Sequence, residues 1–205
     1  SVLASAHRTL CAYHEHVKRM LCYGAPHDTW KAPDQEGILG FIKAARLLHK
    51  ATGVPYYLEC LRDGLDYELT WQYCYNTRPQ RPPLSTVGWS SCGGSVTSVA
   101  NQCVHPMGLI VLDDLGWYAE QTGDVYYMER ARDKVLWALQ TFNRYDHEYD
   151  HGLAGWLSER FDATPILSID TYPDGSPAST WFVGHPWGAG CLLEGLTGRL
   201  WRKEL

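Results

Sequence analysis

The sequence predicts an all-α protein made of antiparallel helix hairpins, in which inner, buried helices alternate with outer, half-exposed ones. Apolar residues recur with helical spacing, and two of the predicted helices end in similar Thr-Gly turns. The chain also repeats itself: residues 51–59 (ATGVPYYLE) match residues 121–129 (QTGDVYYME), 70 positions further on. A second match joins residues 105–108 (HPMG) to residues 185–188 (HPWG), 80 positions apart. Repeated units of this kind contact their neighbours along the chain and bury their apolar faces against them.

The apolar patterns predict six helices, which alternate between the two types along the chain. Ile38–Ala51 is apolar almost all round, so we expect it to be buried on most sides. Gly53 follows it as a glycine cap. Tyr56–Tyr75 carries its charges on one side, as expected of an outer helix. The other predicted helices are the outer Leu3–Leu21 and Val125–Tyr145 and the inner Met107–Gln121 and Trp187–Trp201.

Three long segments connect these helices at the end opposite the Thr-Gly turns: Cys22–Glu36, Asn76–Val104 and Asp146–Gly184. Because paired helices run antiparallel, the segments should converge on one face, beside the free N–H groups at the starts of the inner helices. Loops longer than about 12–15 residues are usually functional or disordered. The third segment is rich in aromatic residues, which disordered segments lack. The sequence therefore predicts that the functional site lies on this face.

The turn at residues 122–127 (TGDVYY) and its weaker copy at 51–58 resemble turns of the (α/α) toroid, or six-hairpin, glycosidase superfamily and of polysaccharide lyases of similar fold. The resemblance covers about residues 3–201 and implies catalytic carboxylates on the loops and helix starts of one face of a ring. Six units of this length would need about twice as many residues as the chain has. We therefore expect residues 1–205 to be a single helical-hairpin domain forming about half of the ring. A missing segment or a second chain would complete it, and an open half-toroid is the less favoured alternative.

Composition excludes several classes of partner. The 205 residues carry a net charge of −5, whereas nucleic acids and anionic membranes call for a basic face. No apolar run reaches the roughly 18 residues of a membrane-spanning helix, so no membrane segment is expected. Nine Trp and thirteen Tyr stand against four Phe. This bias favours rings with a polar edge, which either stack on sugars or fill a helical core.

The seven cysteines are odd in number and include no Cys-x-x-Cys pair. A chain of this length does not need disulfides for stability, so we expect mostly buried, reduced thiols. That expectation weakly favours a reducing compartment such as the cytoplasm. A Cys92–Cys103 disulfide within one segment is the main alternative.

Glu159 is the carboxylate that we favour as catalytic. Neighbouring aromatic residues would disfavour its charged form and raise its pKa towards use as a general acid. Arg160 could oppose this by pairing with it, and a purely structural Glu159–Arg160 brace is the alternative. Glycosidic cleavage requires two carboxyl groups, and we nominate Glu36 or Asp34 as the second. Both also suit the start of a helix, where acids match the helix dipole.

Rings and polar groups on the same face are the predicted substrate contacts. Trp30, Trp156 and Trp187 would stack on sugar rings, and Asn101, His105, Arg160 and His185 would bind polar groups of the substrate. His105 and His185 precede proline at inner-helix starts, and Gln35 takes the same place in the first unit. Alternatively, the histidine nitrogens could bond to loop backbone.

No cofactor and no metal are expected. The acids and histidines at 146–151 are neighbours in sequence, and such neighbours rarely converge on one ion. Asp113, Asp114 and Glu194, which repeats Asp114, lie in otherwise apolar inner helices and need partners there. We expect them to brace neighbouring helices through Arg or Tyr, or to form a cleft floor.

The sequence thus predicts a carbohydrate-active enzyme, and it favours a glycoside hydrolase that acts on an oligo- or polysaccharide. A polysaccharide lyase of the same fold is the alternative; it would use Tyr, His or Arg to neutralise a uronate and abstract a proton. The negative charge and the few loop Arg and Lys residues count mildly against it. A non-catalytic helical-repeat scaffold that binds a protein is the alternative from another class, although such scaffolds have short, simple loops.

Overall fold

The computed structural model is helix-rich and describes residues 1–23, 32–99, 103–150, 152–162, 174–176, 180–182 and 186–198. Its helices are α1 (Val2–Lys18), α2 (Glu36–Thr52), α3 (Pro55–Leu69), the short α4 (Leu84–Val87), α5 (Leu112–Thr122), α6 (Val125–Ala138) and α7 (Pro186–Leu196). A 3₁₀ segment, Pro106–Val111, leads into α5. No helix of these ranges is both long and apolar enough to cross a membrane.

The two Thr-Gly turns have the predicted geometry. Gly53 and Gly123 end α2 and α5 with φ angles of 69° and 76°, the left-handed conformation that glycine adopts without a steric penalty. Each turn leads directly into the next helix, α3 or α6. The chain therefore reverses within two residues, and α2 packs on α3 as α5 packs on α6.

One buried acid braces neighbouring inner helices through Arg, as the sequence predicts, and an exposed acid adds a second contact. Asp114 of α5 is fully buried and lies 2.8 Å from Arg46 of α2. Burial raises the pKa of the Asp114 carboxyl, and the charge of Arg46 opposes that shift. On α7, Glu194 pairs with Lys43 of α2 at 2.8 Å. Lys43 also donates to the carbonyl of Ile110 at 3.3 Å, so α2, the 3₁₀ segment and α7 are linked through polar contacts.

The outer helices end earlier than predicted because the chain beyond them makes strand-like contacts. After α3, the amide of Tyr73 donates to the carbonyl of Gly94 at 2.9 Å, and the amide of Val96 donates to that of Trp71 at 2.8 Å. After α6, Phe142 forms an isolated bridge with Leu157. Backbone groups that could have extended the helices are thus bonded to the long segments instead.

A small antiparallel sheet corrects the all-α prediction. Its strands are β1 (Ser95–Val96), β2 (Val104–His105), β3 (Ser158–Phe161) and β4 (Thr180–Phe182), in that spatial order. One face packs on a second hydrophobic cluster, in which Phe161 stacks on Trp89 with ring centres 5.7 Å apart. Strands of two to four residues are too short for a period-two pattern to be recognised in the sequence.

The described parts of the three long segments meet at this sheet, which confirms their predicted convergence. Asp34, from the first segment, bridges to Ser98 of the second. The amide of Gln35 donates to the carbonyl of Thr97 at 2.9 Å. Strand β2 of the second segment pairs with β3 of the third, with Val104 opposite Phe161.

All seven cysteines are free thiols, so the alternative of a Cys92–Cys103 disulfide is not observed. Cys22, Cys60, Cys103 and Cys191 are buried, and Cys74 is exposed. Burial raises the pKa of the Cys60 thiol to about 11. Burial also raises the pKa of the Cys22 and Cys191 thiols. These three thiols are therefore held in the protonated form and pack as small apolar groups.

Candidate functional site

His105 lies at the end of β2, where the sheet meets the 3₁₀ segment. Its Nδ1 accepts a hydrogen bond from the amide of Met107 at 3.1 Å and so caps that segment. The residue is 3% exposed, and Nε2 has no hydrogen-bond partner among the described residues. Because Nδ1 is the acceptor, the neutral ring carries its proton on Nε2. The imidazole is thus a hydrogen-bond donor whose N–H is available to a further acceptor.

The surroundings of His105 keep the ring neutral. Burial is the main cause that lowers its pKa to about 3, and the positive charges of Lys134 and Arg160 add to the effect. A ring with this pKa stays uncharged at any pH above about 5, since protonation is then less than a few per cent complete. It can bind an oxygen atom without adding a full charge to the site.

A buried polar cluster lies behind β1 and joins three helical elements. Lys134 of α6 donates to the Glu68 carboxylate of α3 at 2.8 Å and to the Ser95 hydroxyl at 3.0 Å. Gln35 donates to the same carboxylate oxygen at 2.7 Å. Gly108 makes room for the cluster, because a Cβ at this position would lie 2.3 Å from the Ser95 Oγ.

Sequence reasoning missed Lys134 and Glu68, although a signal for Lys134 exists. Tyr127, Ala131, Lys134 and Ala138 form the buried stripe of α6 at helical spacing. A lysine on such a stripe is buried with its charge and needs a partner. The repeat aligns Gln35 with His105, and the structure places both beside β1. The backbone amide of Gln35 donates to the carbonyl of Thr97, and His105 lies directly opposite Ser95.

Glu159 and Arg160 lie together on β3 because the strand is irregular there. Successive residues of a regular strand point to opposite faces, but the pairing of β3 with β4 shifts register between Ser158 and Arg160. The Arg160 Nε lies 3.8 Å from the Glu159 Oε1, and the two side chains are 23% and 21% exposed. The antiparallel pairing of Val104 with Phe161 places Arg160 opposite His105 on the next strand.

The two described tryptophans of the predicted set differ in environment. Trp187, in the first turn of α7, is half-buried, and its ring meets the His105 imidazole edge-on, with centres 5.4 Å apart and planes at 78°. Trp156 is 44% exposed, just ahead of β3. Trp187 is therefore part of the His105 site, whereas Trp156 is a surface ring near Glu159 in the sequence.

Asp34 is fully buried at the start of α2, and its Oδ1 accepts from the amide of Gly37 at 3.0 Å. This contact confirms the capping role predicted for Asp34. Glu36, two residues later, is the first residue of α2. It lies near Cys191 of α7: burial is the main cause that raises the pKa of the Cys191 thiol, and the charge of Glu36 is the second. The catalytic roles predicted for Asp34 and Glu36 stay predictions.

Three of the predicted substrate contacts, Trp30, Asn101 and His185, lie outside the described residues. Two cavities occur at other places: one of about 550 Å³ between α1 and α2, and one of about 390 Å³ beside Trp89 and Gln140. None of the predicted site residues lines either cavity. Among the described residues, no group of three or more His, Cys, Asp or Glu side chains is arranged to hold a metal ion.

Comparison with known proteins gives a likeness in fold. No protein family matches the sequence, and no curated protein is significantly similar to it. The chain is similar to a solved structure of a polysaccharide lyase, with a TM-score of 0.57 and 15% sequence identity. The match covers 97% of this chain and 27% of the lyase chain, so this chain spans about a quarter of that protein.

Proposed function

We propose that this chain forms part of a polysaccharide lyase on an (α/α) toroid scaffold, with the single domain 1–205 supplying about half of the ring. The observation that carries the proposal is the fold likeness to a polysaccharide lyase along 97% of the chain. The sequence offers a polysaccharide lyase only as the alternative function, but the fold likeness makes it preferable to a glycoside hydrolase. The inner helices α2, α5 and α7 would face the ring centre, and α1, α3 and α6 would form its outer layer.

The proposed reaction is a β-elimination on a uronate-containing polysaccharide. A base removes the proton next to the uronate carboxylate, the bond from the sugar to the neighbouring glycosidic oxygen breaks, and a carbon–carbon double bond forms. The base keeps the abstracted proton, and the leaving oxygen takes up a proton from water. Negative charge accumulates on the carboxylate during proton removal, so donors aimed at that group lower the barrier.

Arg160 and His105 are the donors that we assign to the uronate carboxylate. The Arg160 guanidinium can bind a carboxylate with two parallel hydrogen bonds, and its side chain on β3 is partly exposed. His105 would add the Nε2–H donor from the opposite strand. Because Trp187 lies edge-on against the imidazole, this role requires the Trp187 ring to move when substrate binds.

Glu159 is the base in this proposal. Its carboxylate lies 3.8 Å from the Arg160 guanidinium, so a uronate held by Arg160 would bring its acidic proton close to Glu159. Trp156 and Trp187 would stack on sugar rings, and Trp30, Asn101 and His185 remain proposed substrate contacts. Glu36 and Asp34 belong to the hydrolase alternative, where one of them would act with Glu159.

The test is an assay on acidic polysaccharides whose uronates are linked through the oxygen on the carbon β to the carboxylate. A lyase produces unsaturated ends that absorb in the ultraviolet, whereas a hydrolase produces reducing ends without that absorbance. Arg160→Met should lower kcat/KM by about 100-fold or more, a typical loss for a donor that stabilises developing charge. The matched control is Arg144→Met, since Arg144 is 64% exposed and pairs with Glu148.

Two results would contradict the proposal. Reducing ends that appear without ultraviolet absorbance, together with loss of activity in Glu36→Gln, would favour the glycoside hydrolase. Full activity in Glu159→Gln would remove this residue from the reaction under either mechanism.

A further inference from the structure

The groove between α1 and α2 is an open part of the helical layer. It has a volume of about 550 Å³ and is lined by mostly apolar side chains of α1, with Ser5 and Thr9 among them, and by Gly37, Gly40, Phe41 and Ala44 of α2. A Cβ placed on Gly40 would meet no atom within 4 Å. By contrast, a Cβ on Gly195 of α7 would lie 2.4 Å from the carbonyl oxygen of Leu109. Gly195 thus permits a close helix contact that is present, whereas Gly40 faces open space.

The internal repeat identifies what the groove is shaped to receive. Gly40 and Ala44 correspond to Ile110 and Asp114, 70 positions further on. Both of those positions contact the preceding inner helix: the Ile110 carbonyl accepts from Lys43, and Asp114 pairs with Arg46. The corresponding positions of α2 are therefore built to receive an inner helix as well.

The helix α7 carries the complementary positions. Lys43 and Arg46 extend from α2 to the next inner element, and 150 positions later they correspond to Leu193 and Leu196. Leu193 is 62% exposed, and Leu196 is partly buried against the main core. Thus α7 carries leucines where α2 carries cations, and the Leu193 side chain is left exposed.

We propose that α7 of a second copy of this chain docks in the α1–α2 groove, with Leu193 opposite Gly40 and Leu196 opposite Ala44. The two leucines would then fill the space beside Gly40, which has no side chain, and beside Ala44, whose side chain is a single methyl group, as close packing requires. The internal joint has polar contacts, namely the hydrogen bond from Lys43 to the Ile110 carbonyl and the ion pair of Arg46 with Asp114. Apolar contacts would replace them at the new joint.

The contact joins two different surfaces, the α1–α2 groove of one copy and α7 of the other. A closed dimer therefore forms only if each copy uses both its groove and its α7. A two-fold axis along the centre of the proposed ring achieves this, because each α7 then meets the α2 of the other copy. This inference rests on the proposed hairpin ring but not on the reaction, and an assay of assembly tests it separately from an assay of activity.

The experiment is sedimentation equilibrium of the full 205-residue chain over a concentration series. We expect a dimer, and we expect Gly40→Glu and Leu193→Lys each to raise the dimer dissociation constant at least about tenfold, the effect of roughly one lost apolar contact. Neither substitution should disturb the monomer, because Gly40 has open space and Leu193 is exposed. Circular dichroism checks this.

The double variant Gly40→Glu/Leu193→Lys tests the pairing itself. It places opposite charges at the proposed contact, so its dimer should be tighter than that of either single variant. The control is Leu136→Lys on α6, a 66% exposed leucine away from the groove, which should leave the dimer unchanged.

Three outcomes would overturn the proposal. If the wild-type chain stays monomeric up to roughly 100 μM, where interfaces of micromolar affinity are saturated, a second copy does not fill the groove. A dimer that both single variants leave intact would lie elsewhere on the surface. A double variant no tighter than the single ones would refute the Leu193–Gly40 contact.

Discussion

Lys134 of α6 and Glu68 of α3 form an ion pair that is almost completely removed from solvent, with Nζ 2.8 Å from Oε1 and side-chain exposures of 1% and 0%. The pair also reaches β1 through the Ser95 hydroxyl. It therefore joins two outer helices to β1, the strand that pairs with the His105 strand β2.

Removing one partner of this pair should be costly. Lys134→Met leaves the Glu68 charge buried without its counterion, and we expect the free energy of unfolding to fall by about 3–5 kcal/mol. The double variant Lys134→Met/Glu68→Met should lose much less, because no charge is then stranded. Urea denaturation measures both. Lys43→Met, which breaks the more exposed pair with Glu194, is the control and should cost about 1 kcal/mol or less.

Two glycines in similar backbone should respond in opposite directions to alanine. A Cβ on Gly108 would lie 2.3 Å from the Ser95 Oγ and 2.7 Å from the Lys134 Nζ, so Gly108→Ala should destabilise the protein by about 1–3 kcal/mol. A Cβ on Gly190 in α7 would meet no atom within 4 Å. Gly190→Ala should therefore stabilise it by up to about 1 kcal/mol through helix propensity. Equal effects in thermal unfolding would refute the close packing at Gly108.

His105 should make stability depend on pH in a known direction. Its pKa of about 3 lies below the ordinary value of 6.5, so between these values the unfolded chain binds a proton that the folded chain does not. Stability should fall as the pH falls through this window, by about 1.4 kcal/mol per pH unit. The variant His105→Asn should lose this contribution to the slope, and the exposed His16→Asn should keep it. An unchanged slope in His105→Asn would contradict the burial of the neutral ring.

Asp63 should contribute to acid sensitivity at lower pH. Burial works against its charged form, but hydrogen bonds from Arg62 and His14 outweigh burial and lower its pKa below 3.8. A lowered carboxyl pKa stabilises the fold above about pH 4, and this stabilisation is lost as the pH falls through the folded value. Asp63→Asn should therefore cost about 1–2 kcal/mol at neutral pH and progressively less below pH 4. A cost that does not change with pH would show that charge plays no part.

The helical part of the fold could be predicted because its signals are local. Gly53 and Gly123 end helices whose apolar spacing extends over three or more turns, and the repeat sets the same order twice. The sheet could not be predicted, since β2 has two residues and its partner β3 lies more than 50 positions away. Such pairing depends on tertiary contacts that leave no period in the sequence.

Only part of the candidate site could be predicted, because tertiary contacts bring its residues together. His105 and Arg160 were singled out by residue type and neighbours, and the pairing of β2 with β3 brings their strands together. The buried position of His105, which makes it a neutral donor, follows from packing that no single stretch of sequence encodes. Lys134 lies in Val125–Tyr145, which the sequence predicts to be an outer, half-exposed helix, and its burial depends on tertiary contacts that the helix pattern does not show.

The pairing of Val104 with Phe161 bears on how the chain folds. Closing so long a stretch of chain costs entropy that a helix hairpin with a two-residue turn avoids, so hairpins should form early and the sheet late. Until that last stage the imidazole of His105 is in contact with water and titrates near its ordinary pKa. In mildly acidic buffer the ring must release its proton before the sheet can close, and refolding should then be slower than at neutral pH.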